Sequence, residues 1–183
     1  MLFRSHLVAA DLASQLEHDP LAWAVLVTDS AALADAVEEA FTDLAHRLDR
    51  AETVRAARCC IVLAESPARA MDVVNQFGPE HLEILAADAE ALVARVENAG
   101  AVFVGPHAPV SLGDYVIGPN HTLPTAGSAR FSGPLGVHTF LKRTSVARVD
   151  AAGLGRMQEA ARTLATMEGL TAHAHAIEVR LSE

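Results

Sequence analysis

This sequence predicts an α/β architecture: a partial doubly wound parallel sheet with helices on both faces, followed by a small helical appendage at the carboxyl end. Three observations carry that expectation. Short apolar runs alternate along the chain with longer stretches rich in Ala and Leu, the signature of strands alternating with amphipathic helices. The joints carry helix-start chemistry, such as Asp29-Ser30 before one helical stretch and Pro67 at the first turn of another. A chain of 183 residues with 51% hydrophobic side chains is long enough to bury one core. Strand-helix-strand order of this kind favours parallel pairing with helices as crossovers.

In order, Val8 to Glu17 reads as a helix, Trp23 to Thr28 as a strand, Ala31 to Leu48 as a helix and Cys59 to Ala64 as a strand. Pro67 to Phe77 is helical, Leu82 to Leu85 a strand, Ala89 to Asn98 helical and Ala101 to Val104 a strand. From Gly105 to Pro134 the pattern gives way to a long loop crowded with Gly, Pro, Ser and Asn, of a length that usually has a function. Thr144 to Val149 is expected to form a strand, Ala151 to Met167 a helix, and Thr171 to Arg180 a short final helix. The domain reading is an α/β domain over residues 6–135 and a small tail over 136–183. Leu2-Phe3-Arg4-Ser5 matches what one reading frame of a common sequencing adapter encodes, so residues 1–5 are expected to be a non-native leader, with natural sequence upstream.

A formal net charge of -9 argues against a phosphate-binding surface and hence against nucleic acid. No apolar run approaches the roughly 20 residues that span a bilayer, and no signal-peptide pattern opens the chain. A cytoplasmic protein is expected. Cys59 and Cys60 are adjacent in an apolar run, which suits buried strand residues better than a disulfide or a spaced zinc site. Leu12, Val25, Val62, Ile84, Val102 and Leu164 are read as core.

Four places set polar groups in apolar or glycine-rich surroundings. Gln15 and His18, at i and i+3, share a helix face near its end and could ligate a divalent ion, although the same pair suits an ordinary surface helix terminus. Gly78-Pro79-Glu80-His81 delivers a carboxylate and an imidazole to the start of a strand, as proton transfer requires. A solvated turn fits it equally, and ligands in open α/β sheets usually sit at the opposite strand ends. In the long loop, Asp114 is a hard oxygen donor beside glycines that let backbone approach a ligand, with His121 following; alternatively Asp114 caps a turn and His121 is exposed. Finally, a helix stops at Gly169 and restarts through Thr171 towards His173 and His175, which on a helix face different directions, so only one of them is expected to act.

Taken together and in this order, the Gln15 to Pro20 run, Gly78-Pro79-Glu80-His81-Leu82, Ser111-Leu112-Gly113-Asp114-Tyr115, Gly118-Pro119-Asn120-His121 and Glu168-Gly169-Leu170-Thr171-Ala172-His173 resemble histidinol dehydrogenases over nearly the whole chain after Ser5. The resemblance implies a Rossmann-like domain of a zinc-dependent, NAD-linked enzyme that oxidises L-histidinol through the aldehyde to L-histidine, built as an intertwined homodimer. It implies Gln15, His18, Asp114 and His173 as zinc ligands and Glu80 and His81 as the acid/base pair. These ligands and His81, with His121 and Glu168, are the implied contacts to substrate. The residues matching Glu168 and His173 are implied to reach the other subunit's site. The family's glycine-proline-serine-glutamate stretch and its nucleotide-binding region have no counterpart here, so no NAD-contacting residue can be named. Two other readings compete: a zinc hydrolase using Glu80 as base, and a non-catalytic α/β dimerisation module with incidental histidines.

Overall fold

The computed structural model describes residues 4–181 and divides into two compact units, Met1–Phe140 and Leu141–Glu183. The expected leader over residues 1–5 lies mostly outside the described residues.

The first unit is α/β, as expected. Helix α1 (Ser5–Leu16) buries Val8, Ala9, Ala13 and Leu16 along one stripe. It packs on strand β1 (Trp23–Thr28) and on α2 (Ala31–Ala45), whose Ser30 cap accepts from the Leu33 N–H at 3.2 Å. A helix that the sequence reading missed, α3 (Ala51–Ala56), precedes β2 (Arg58–Leu63). Its Val54 joins Leu16, Ala24 and Ala45 in one core cluster. Strands β1 and β2 pair in parallel, from Trp23 opposite Arg58 to Thr28 opposite Leu63.

Helix α4 (Pro67–Phe77) follows, capped by Ser66 and closed by Gly78 in the left-handed region at φ 62°. It leads into β3 (His81–Ile84), then α5 (Ala89–Val93) and β4 (Ala101–Val104), with β3 and β4 again parallel. Met71 of α4 packs with Leu82 and Ile84 in a second core, backed by Leu92 and Val93 of α5. The expected single sheet is thus two parallel pairs, β1 with β2 and β3 with β4. The long loop contains a short helix, α6 (Ser111–Tyr115), and 3-10 turns at Ser128–Arg130 and Val137–Phe140.

Several local expectations fail for identifiable reasons. The helix expected to run to Asn98 stops at Val93, because the Asn75 side chain captures the backbone that would have continued it. Its amide donates to the Arg95 carbonyl (2.9 Å) and accepts from the Glu97 and Asn98 N–H groups (2.9 and 3.3 Å). Cys59 and Cys60 do lie in a strand but are exposed, on a β2 that pairs with β1 alone among the described residues. Val102 is exposed rather than core, as is Leu164.

In the second unit, residues 144–149 form no regular secondary structure, because no described segment pairs with them and an isolated strand leaves its backbone donors to water. Helix α7 (Ala151–Met167) begins at Asp150, whose carboxylate accepts from the Gly153 N–H at 2.7 Å. It ends at Gly169, φ 72°, where the N–H groups of Gly169 and Leu170 fold back to the carbonyls of Thr166 and Ala165. Helix α8 (Thr171–Glu178) then packs on α7, with Arg162 and Glu178 paired at 2.6 Å.

Candidate active site

The β3–β4 pair has two unlike faces. Leu82 and Ile84 turn to the α4 and α5 core. By alternation His81 and Glu83 turn the other way, and so do their register partners Ala101 and Phe103. The His81 and Phe103 rings meet on that face at 6.0 Å between centroids, in the range for aromatic contact. The His81 Nδ1 is buried and carries no hydrogen bond among the described residues.

The turn that delivers Glu80 and His81 is held by backbone. Gly100 and Ala101 donate to the carbonyls of Pro79 and Glu80, both at 2.9 Å. Arg130, from the long loop, donates to the Gln76 carbonyl at 2.8 Å, and its stem lies against Gly78. The loop is thereby tied to the end of α4, beside the Glu80-His81 turn.

Two helices approach the His81 face. Gly113 of α6 lies so close to Phe103 that a β-carbon there would sit 2.6 Å from its ring tip, which brings the segment carrying Asp114 against the ring that contacts His81. The other helix is α1, whose Asp11 and Ser14 line, with Glu83 and Ser111, a cleft of about 340 Å³. The rest of that cleft is aliphatic, with Leu7, Leu85, Pro106 and Pro109 among its walls. The Asp11 and Glu83 side chains line the same cleft, where each acts on the other's affinity for a proton. Burial, then the negative charge and hydrogen bond of Asp11, push Glu83 up to about 8, and burial raises Asp11 also. Sequence reading passed over Asp11, Glu83 and Phe103. The available signal was a carboxylate alternating with Leu82 and Ile84 in a strand otherwise read as apolar.

The other expected site residues fall as follows. Gln15 is half-buried in the last turn of α1; His18 lies beyond the helix end and is exposed, its carbonyl accepting from Arg50. Asp114 and His121 both line a shallow hollow of about 450 Å³ made by the loop from Gly113 to His121. In the second unit Glu168 is exposed at the end of α7 and His173 is exposed in the first turn of α8. His175 lies 3.9 Å from Glu178. Among the described residues no group of three or more His, Cys, Asp or Glu side chains is placed to hold a metal. The donors expected in the first unit are an amide, an imidazole and a carboxylate, a nitrogen and oxygen set whose chemistry fits Zn²⁺.

A family model described as histidinol dehydrogenase matches residues 3–181. The chain is 48% identical over 180 residues to histidinol dehydrogenase of Leifsonia xyli subsp. xyli, covering 96% of this chain and 41% of that protein. It is 51% identical over 177 residues to that of Nocardia farcinica, covering 94% and 40%. The crystal structure of histidinol dehydrogenase from Elizabethkingia anophelis superposes with a TM-score of 0.77 at 30% identity, over 97% of this chain and 42% of that one. The chain therefore spans about two-fifths of the length of the relatives it matches. With the match running from end to end of the described residues, the chain belongs to the histidinol dehydrogenase family.

Proposed function

We propose that this chain is the zinc- and substrate-binding part of a cytoplasmic, homodimeric enzyme that oxidises L-histidinol through the aldehyde to L-histidine with NAD. The observation that supports it best is the polar face of β3–β4. There His81 lies on a sheet face approached by α1, which bears Gln15, and by α6, which bears Asp114. Zinc would be held by Gln15, His18 and Asp114 of one subunit and His173 of the partner subunit. A zinc ion held there would supply a Lewis acid to orient the substrate through its nitrogens.

The chain's own residues supply the proton chemistry. His81 takes the carbinol hydroxyl proton, a role suited to imidazole near neutrality. Glu80, its neighbour on a turn pinned at 2.9 Å by the Ala101 N–H, assists addition of water to the aldehyde. His121 of one subunit and Glu168 of the partner subunit would contact the carboxylate-to-be end of the substrate and its polar groups. NAD would supply the oxidant, one hydride acceptor for the carbinol and a second for the hydrated aldehyde.

The test is a graft. Residues 4–181 replace the matching two-fifths of the Leifsonia xyli relative, and NADH formation from L-histidinol is measured with zinc content. The expected result is an active, zinc-loaded chimera in which His81→Asn lowers turnover by roughly 10²-fold or more while zinc stays bound. A folded, zinc-loaded chimera without activity overturns the reading. Loss of zinc together with activity in His81→Asn moves that residue from the acid/base pair into the metal shell.

A further inference from the structure

We propose that Asp11 and Glu83 form a carboxyl pair sharing one proton, which seats α1 on the polar face of β3 and so acts as a positioning device for Gln15 relative to His81. The inference about Gln15 and His81 rests on the functional reading above; the pair itself does not.

The geometry argues for it. Asp11 precedes Gln15 by one helical turn, and Glu83 follows His81 by two residues on the same strand face. Both carboxyls line one cleft, so a proton shared between them ties the helix of one expected ligand to the strand of the expected base, close to both. Two carboxylates cannot hydrogen-bond to each other unless one is protonated and donates its O–H. The surroundings favour that state, because the remaining cleft walls are aliphatic carbon and the hydroxyls of Ser14 and Ser111, with no cation to compensate two negative charges. The nearest other titratable group facing the same way along β3 is His81. The raised affinity of Glu83 for its proton, to about 8, accords with this environment.

The pH dependence follows with a definite sign. Folded, Glu83 keeps its proton up to about pH 8, whereas its unfolded counterpart releases it near 4.5. The folded chain binds more protons across that window, so the contribution is full below 4.5 and is lost as pH rises towards 8. Above that, two repelling carboxylates replace the bond.

Three measurements on the chain and its chimera test the pair. Infrared difference spectra near neutral pH should show the carbonyl stretch of a protonated carboxyl in the wild-type chain, absent in Glu83→Gln. Melting temperature should fall between pH 5 and pH 9 in the wild type but stay flatter in Glu83→Gln, whose amide donates to Asp11 without a titrating proton. In the chimera, Glu83→Ala should weaken zinc affinity by roughly 10- to 100-fold, the usual loss when a support behind a metal ligand is removed, while Glu83→Gln stays near wild type. No protonated-carboxyl band, or equal zinc affinities in the Ala and Gln variants, overturns the proposal. A wild-type chimera that binds no zinc, with the band and pH effect intact, removes the functional reading and leaves the pair standing.

Discussion

A β-carbon on Gly100 would lie 2.6 Å from the carbonyl oxygen of Glu80 and 3.0 Å from the Pro124 ring. That oxygen is the acceptor that starts the β3–β4 ladder, so it cannot retreat without loosening the turn that carries His81. Gly100→Ala should therefore destabilise the chain by about 1–3 kcal/mol, the usual cost of overpacking, as read from chemical denaturation. In the chimera it should lower turnover with little change in zinc content. A stability within about 0.5 kcal/mol of wild type, the scale of an ordinary surface change, would mean that the turn has slack. Glu80 and His81 were legible as a pair from their neighbours Gly78 and Pro79. The role of Gly100 was not, because nothing local in Ala99-Gly100-Ala101 says whose carbonyl lies beside it.

At the scale of elements, Asn75 decides where α5 ends. Its amide makes three hydrogen bonds to backbone groups of Arg95, Glu97 and Asn98, and the Asn98 side chain answers by donating to the Asn75 carbonyl at 2.9 Å. Asn75→Ala should cost about 1–2 kcal/mol, since each such bond is worth roughly 0.5–1.5 net and water reaches part of the site. Amide hydrogen exchange should also accelerate at Glu97 and Asn98. Unchanged exchange there would show that the segment is held by its apolar anchors Val96 and Ala99 instead. The helical pattern from Ala89 to Asn98 was present in the sequence; the competing bonds came from a residue 20 to 23 positions away from the groups it binds. The irregular stretch at 144–149 makes the complementary point, for alternation there creates the capacity to pair but not a partner.

For the molecule as a whole, the covered two-fifths of the family length leads to two expectations. By itself the chain should form no NADH from L-histidinol, because hydride transfer needs a cofactor held against the carbinol and no NAD contact is assigned within it. Sustained NADH production by the purified chain, free of host enzyme, would contradict this. In a chimeric dimer, Asp114→Ala and His173→Ala should each abolish zinc binding as homodimers. The heterodimer, purified through two different tags, should regain about half the sites, since a ligand set drawn from both subunits leaves one site intact and one doubly defective. A heterodimer without zinc would place all the ligands in one chain.

The sequence by itself determined the α/β class, the positions of most strands and helices, and the family, since these depend on periodicity, caps and short motifs that neighbouring residues write together. Only the tertiary structure decided which strands pair, that Cys59 and Cys60 lie exposed, and that Asp11 and Glu83, more than 70 residues apart in the chain, line one cleft. The physical reason is range. A helix or a cap is a matter of bonds within a few residues, whereas pairing, burial and the affinity of a carboxyl for its proton depend on which distant atoms displace water around it.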